Sequence, residues 1–331
     1  MDYKTRDAAI YRLWLQGTPY KDITKRYGIP LGTAYRIVHY QKQAKAKQIA
    51  PPAPVKRPEN AETDAKLWQD RLTALKRSKR FLRVMHLSDI HFPYHDKSAL
   101  ALTYEIVAHV QPDVIVVGSD AFDLPTISRF EPDKDLNVDD WLDQITPYWR
   151  QHINALRHVA PNAALPFIVG NHDARALAEI KKLSVPRVAM RHFIETVRAD
   201  GEVYWLGDTS EVDIGNLTVA HGWKTTRHTA AATLQAYQNQ RNIAVGHTHR
   251  PDFYTVRGSA YSVTCVVGGC LCQLTPHYQQ GRAHTDWQHG TMLAIVDTQG
   301  HNTALQNIVY HHGDNERWAA VGGQIVRITH A

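Results

Sequence analysis

Phe81-Leu82-Arg83-Val84-Met85-His86-Leu87-Ser88-Asp89-Ile90-His91 decides the fold. A strand-like apolar run ends in a short polar segment that offers a carboxylate and, two residues on, an imidazole. The same construction returns four times along the chain. Val114-Ile115-Val116-Val117 leads to Ser119-Asp120-Ala121-Phe122-Asp123, and Pro166-Phe167-Ile168-Val169 leads to Gly170-Asn171-His172-Asp173. Asn216-Leu217-Thr218-Val219 leads to Ala220-His221-Gly222, and Asn242-Ile243-Ala244-Val245 leads to Gly246-His247-Thr248-His249. Short, largely β-branched apolar runs that stop at loops are the pattern of buried strands. The expectation is an α/β fold whose polar residues gather in loops at strand ends, where side chains converge without interrupting the ladder of backbone hydrogen bonds.

Carboxylates, imidazoles and one amide are oxygen and nitrogen ligands suited to two adjacent divalent metals. A lone aspartate at a strand end is usually a cap, and a lone histidine usually a satisfied polar group. The ordered set of five motifs is what sets these residues apart.

The set closely resembles the calcineurin-like metallophosphoesterases. That family's pattern reads D-x-H, G-D-x-x-D, G-N-H-D/E, a lone His and G-H-x-H, and its motifs fall here across roughly residues 84–255. Ser119 stands where the family has Gly. The resemblance implies a four-layer α/β/β/α sandwich. It makes Asp120 the carboxylate that bridges two ions, with Asp89, His91 and His249 on one and Asn171, His221 and His247 on the other. Asn171 would give a neutral carbonyl that leaves the second ion more Lewis-acidic. His172 would protonate the leaving oxygen or steady the phosphate, Asp173 would orient His172, and Asp123 would fix a ligand histidine. Arg129, Arg175 and Arg250, near the motifs, would contact substrate phosphate. The mixed donor set suits Mn²⁺ above all, with Fe²⁺, Zn²⁺, Co²⁺ or Ni²⁺ as alternatives.

The chain outside these motifs divides by charge. Residues 1–83 carry 19 Lys and Arg against 7 Asp and Glu, and residues 84–331 carry 19 against 25. A basic arm on a mildly acidic body suggests a head that seeks polyanions. Residues 1–45 read as a small all-α helix-turn-helix domain: a first helix over Ala8–Leu15, a second over Tyr20–Tyr27, a turn at Gly28-Ile29-Pro30, and a third helix over Leu31–Gln43. Gly28 sits where such a turn needs positive φ. Ile23, Ile29, Ala34 and Ile37 would close the core. The stretch resembles the helix-turn-helix of resolvase-like recombinases and bacterial regulators. In that reading Thr33 and Arg36 read bases in double-stranded DNA, with Tyr35 and His39 on the same face, and Lys21, Lys25 and Arg26 touch phosphates.

Residues 46–60 form a Pro-rich linker, a semi-rigid spacer. A basic connecting helix over 61–80 carries a stripe of Ala65, Trp68, Leu72 and Leu75. It docks on the catalytic domain of residues 81–331 or, as the alternative, seams a homodimer. A helix is expected over Trp141–Leu156, behind an acidic loop at Glu131–Asp140. Val263–Leu274, Met292–Asp297 and Leu305–Tyr310 are expected to complete a second sheet.

No apolar run approaches a membrane span, and the first residues lack a signal peptide's apolar stretch, so a cytoplasmic protein of a bacterium, or of a phage in its host, is expected. Cys265, Cys270 and Cys272 read as buried reduced thiols. The function expected is a two-metal phosphodiesterase that nicks or cuts DNA, delivered by its head. Two readings stay open beside it: a phosphatase of phosphomonoesters or phosphoproteins, and a DNA-binding regulator with an impaired catalytic body.

Overall fold

The computed structural model describes residues 61–123, 138–183, 186–257, 262–275, 286–300 and 302–329, together with Tyr20–Ile29 and scattered positions on either side of it between 6 and 38. The chain divides into two units, Met1–Pro54 and Val55–Ala331. In the first, helix α1 (Tyr20–Tyr27) is followed by Gly28 at φ +63. Ile10, Ile23, Ile37 and Val38 share a small apolar core, with Leu13, Tyr27 and Ile29 packed at its edge. Lys21, Lys25 and Arg26 are exposed. Thr33, Tyr35, Arg36 and His39, the linker 46–60, Arg129 and the acidic loop as far as Asn137 lie outside the described residues.

The second unit is built on two sheets. In the larger, β1 (Phe81–His86), β2 (Val114–Gly118), β3 (Pro166–Ile168) and β4 (Tyr204–Trp205) run parallel, and β10 (Gly290–Asp297) and β11 (Thr303–Val309) extend it antiparallel beyond β1. The other has the order β5 (Glu211–Ile214), β6 (Leu217–Ala220), β7 (Asn242–Val245), β9 (Ser262–Val267) and β8 (Asp252–Arg257), with β6, β7 and β9 parallel. A separate three-stranded sheet comprises β12 (His311–His312), β13 (Glu316–Val321) and β14 (Gln324–Thr329).

Alternation along each strand decides the layers, because successive side chains point to opposite faces. Leu82, Val84, Val114 and Val116 meet Ile214, Leu217, Val219, Ala244 and Val266 in one core between the sheets. Their neighbours Met85, Ile115, Val117 and Phe167 turn outward, against α3 (Lys97–Val110), α4 (Val138–Val159) and α6 (Pro186–Arg198) through Ile106, Trp149 and Phe193. On the far side Ile243, Val245 and Cys265 pack against Ala230 and Leu234 of α7 (Thr229–Ala236). The result is a four-layer α/β/β/α sandwich, with each fully buried leucine, isoleucine or phenylalanine contributing about 1.5–3 kcal/mol.

Helix α2 (Ala61–Ser78) buries Trp68, Leu72 and Leu75 in the core between the sheets, so its apolar stripe packs within the chain. Trp68 lies 5.9 Å from the Tyr204 ring, and the buried Asp64 carboxylate pairs with Arg198 at 3.0 Å. The carboxyl-terminal strands depart from expectation. β9 joins the second sheet, but β10 and β11 join the first, with β10 registered against β1 from Phe81↔Asp297 to His86↔Met292. Periodicity marks a segment as a strand, whereas its partner is set by long-range packing.

Candidate metal centre

The parallel strands of both sheets bring their carboxyl ends to one place. Asp120, just past β2, has its Oδ2 3.3 Å from His221 Nε2, just past β6, and 4.0 Å from His91 Nε2. Two groups of ligand atoms result, each spanning less than 4.8 Å: Asp89, His91 and Asp120, and Asp120, His221 and His247. Asp120 belongs to both. His249 Nε2 faces Asp89 Oδ1 at 3.2 Å. Asn171 Oδ1 lies 2.9 Å from His221 Nε2 and 2.8 Å from His247 Nδ1, and those two nitrogens are 3.0 Å apart.

The backbone is bent to achieve this. Asp89, His91, Ser119, Asp120, His247 and His249 all have φ between +53 and +75, six of the eleven non-glycine residues with positive φ among those described. Left-handed backbone costs an L-residue roughly 1–2 kcal/mol, and such strain gathers at functional sites, where surrounding structure enforces it. Two glycines make the approach possible. A Cβ on Gly170 would run into the Asp120 carboxylate, and one on Gly246 into Asp89 and Ser88. Helix α5 (Asn171–Ile180) points its amino terminus at the centre, and His172 N donates to Asp120 Oδ1 at 2.7 Å. The positive end of the helix favours the carboxylate there.

The donor set fits a pair of divalent cations. Oxygen and nitrogen ligands about 2.1 Å from an octahedral ion stand roughly 3 Å from their neighbours, the spacing seen among Asn171, His221, His247 and Asp120. Turning the Asn171 amide would give its hydrogens to the two histidines, and a cation between them satisfies the same lone pairs without that turn. The buried His91 has only a long 3.5 Å contact from Nδ1 to Asp123, and its Nε2 makes no hydrogen bond among the described residues. The electrostatics agree. Burial would raise the Asp89 carboxyl, but His249 foremost, then His221 and His91, hold it well below its ordinary range. Burial likewise opposes a charged His91, yet Asp123 and Asp120 raise it. The cluster draws positive charge.

Each expected site residue has a definite place. Asp123 sits between two imidazoles, 2.9 Å from His172 Nδ1 and 3.5 Å from His91 Nδ1. Asp173 does not serve His172. Its buried carboxylate accepts from Asp120 N and Gly170 N at 2.9 Å and from Phe122 N at 3.1 Å, clamping the Asp120 loop to the start of α5. Burial, then the charge of Asp120, pushes it up to about 7 against the pull of those three amides. Arg175 is exposed on α5. Arg250 bonds Asp286 at 3.1 Å and Thr226 O at 3.3 Å, which ties it to the loop after β6.

Two partners were missed in the sequence. Ser119 Oγ lies 2.9 Å from His221 Nδ1, both groups buried, so the hydroxyl fixes the ring that presents Nε2 to the centre. The signal was present as the one departure from the family's glycine. Cys272 Sγ lies 3.8 Å from His249 Nδ1, a contact between residues 23 apart that no motif announces.

Strand-end ligands shared through one carboxylate, in an α/β/β/α sandwich, define a metal-dependent phosphoester hydrolase. The sequence model of the calcineurin-like phosphoesterases matches residues 82–269, and the chain belongs to that family. The gene 54 protein of Mycobacterium phage L5 is 24% identical over 247 residues, covering 69% of this chain and 94% of the relative. Its namesake from Mycobacterium phage D29 is 25% identical over 236 residues, covering 65% and 89%. Among solved structures, Chaetomium thermophilum Vps29 aligns with 76% of this chain and 98% of its own at 12% identity and a TM-score of 0.38. No described helix is long and apolar enough to cross a membrane.

Proposed function

We propose that this chain is a two-metal phosphodiesterase that cleaves DNA, using manganese, with its basic amino-terminal segment as the DNA-docking element. The observation that carries the reading is the pairing, in one chain, of two donor groups sharing Asp120 with an amino-terminal unit, Met1–Pro54, of 10 basic and 3 acidic residues. When bound, the ions supply charge to hold phosphoryl oxygens and lower the pKa of a water molecule. The protein's own part is positioning. Asp123 holds His172 through Nδ1, leaving Nε2 to give a proton to the leaving oxygen. Asp173 and the start of α5 hold Asp120 in place.

The rim of the centre supports a nucleic-acid substrate. The loop after His221 carries Trp223, 55% exposed, the half-buried Lys224 and the exposed Arg227, and Arg250 is tied to the same loop. Cations beside an exposed aromatic face suit a phosphate backbone with a stacked base. At the head, the exposed Lys21, Lys25 and Arg26 neutralise phosphates, and Thr33, Tyr35, Arg36 and His39 are the candidate base readers. The tether raises the local concentration of DNA at the centre.

The test is conversion of supercoiled plasmid with Mn²⁺, beside Asp120→Asn. Nicked or linear product that the variant fails to make supports the reading, and removal of residues 1–45 should flatten its salt dependence. Absence of product, with rapid hydrolysis of para-nitrophenyl phosphate, assigns the centre to phosphomonoesters instead.

A further inference from the structure

We propose that Cys272 gives this centre a second mode of metal binding, in which His91, His249 and Cys272 take a thiophilic divalent cation such as Zn²⁺ or Cd²⁺ and so disable the first metal position. The inference rests on the metal reading of His91 and His249, not on the nature of the substrate. The ligand atoms of the three residues lie within 4.8 Å of one another, and all three residues are buried. Nitrogen and sulfur ligands on one tetrahedral zinc, at about 2.05 and 2.3 Å from the ion, stand roughly 3.6 Å apart. Cys272 Sγ and His249 Nδ1 are 3.8 Å apart.

His249 stands as a wall between two chemistries. Its Nε2 faces the carboxylate of Asp89 at 3.2 Å, and its Nδ1 faces sulfur. Hard ions favour the carboxylate side, and thiolate selects soft ones. A neutral imidazole has one lone pair and one N–H. An ion held through Nδ1 therefore leaves Nε2 as an N–H donor, which cannot ligate the first metal. The sulfur–metal bond forms as the thiol proton leaves to solvent. Thiophilic cations thus compete with the catalytic ion for one imidazole, from its opposite edge.

The experiment titrates Cd²⁺ into the full-length, Mn²⁺-loaded protein. It follows the sulfur-to-cadmium charge-transfer absorbance and the free Mn²⁺ signal by electron paramagnetic resonance. The expected result is a charge-transfer band saturating at about one Cd²⁺ per chain, with about one Mn²⁺ released in step. Cys272→Ser, whose hydroxyl can still meet His249 Nδ1, should keep Mn²⁺ bound but lose the band and bind Cd²⁺ more weakly, since thiolate is what selects the soft ion. No band in the unaltered protein, a band that survives Cys272→Ser, or a band without Mn²⁺ release overturns the proposal. So does loss of Mn²⁺ binding in both Cys272→Ser and Cys272→Ala, because the sulfur would then belong to the hard-ion site. Plasmid cleavage plays no part in the readout, so failure of the DNA reading leaves this test intact.

Discussion

Replacing Ser119 by the residue its family carries should weaken metal binding in this protein. Ser119 is buried at φ +55 and its Oγ lies 2.9 Å from His221 Nδ1. Glycine would relieve about 1 kcal/mol of left-handed strain, but it raises unfolded-state entropy by a comparable 0.5–1 kcal/mol. Those effects nearly cancel. What remains is the lost hydrogen bond, about 1 kcal/mol, equivalent to a fall of roughly 2–4 °C in Tm. Ser119→Ala keeps the strain without glycine's added unfolded-state entropy and leaves the same ring nitrogen unpaired, so its loss is comparable, about 1 kcal/mol. Both variants free the His221 ring, and loss of a partner that orients a metal ligand costs about 10–100-fold in affinity. Calorimetric titration of Mn²⁺ into metal-free protein, with Tm for each variant, measures all of this. Weaker binding in both variants, with similar losses of stability, is expected. Unchanged affinity in both would refute the assignment of Ser119 as the anchor of His221.

Asp123→Asn should lower kcat for a small aryl phosphate ester by about 10–100-fold, because His172 and His91 both lean on that carboxylate. Asp173→Asn should cost about 2 kcal/mol through its amide clamp and, because that clamp holds Asp120, weaken Mn²⁺ binding by about 10–100-fold; unchanged Tm and affinity would refute the clamp. His152, buried in α4 with Nδ1 2.9 Å from the Tyr104 hydroxyl, is pushed down to about 3 by burial. Between the unfolded value near 6.5 and that folded value only the unfolded chain binds the proton, so stability falls as pH falls, by about 2 kcal/mol at pH 5. The unfolding free energy from urea titration should differ less between pH 7 and pH 5 in His152→Gln, by about that amount. His91 and His249 are raised and must release protons to take metal, so Mn²⁺ affinity should fall as pH drops from 8 to 6, and a chelator should lower Tm by roughly 5–10 °C for metal held at a hundred times its Kd.

The strand-end motifs were legible because parallel strands buried on both faces read as continuous apolar runs, and ligands collect where the ladder ends. The partner of His172 was not. Asp173 is its neighbour in sequence, yet both lie in the first turn of α5, where consecutive residues diverge around the helix and do not face each other. Asp123, on the loop after β2 and 49 residues away, takes the place instead. The same limit hid the pairing of β10 with β1, since alternation fixes which side chains share a face but not which strand lies alongside.

By itself, the sequence determined the strands and the polar motifs at their ends, because local periodicity and residue type carry that information, and the order of those motifs carried the resemblance that implied the sandwich and the ligands around Asp120. Only the tertiary structure decided which group stands behind each ligand: a carboxylate behind His91, a hydroxyl behind His221 and a thiol behind His249. Those contacts join residues 32, 102 and 23 positions apart, and only the packing of two sheets against each other sets distances of that kind.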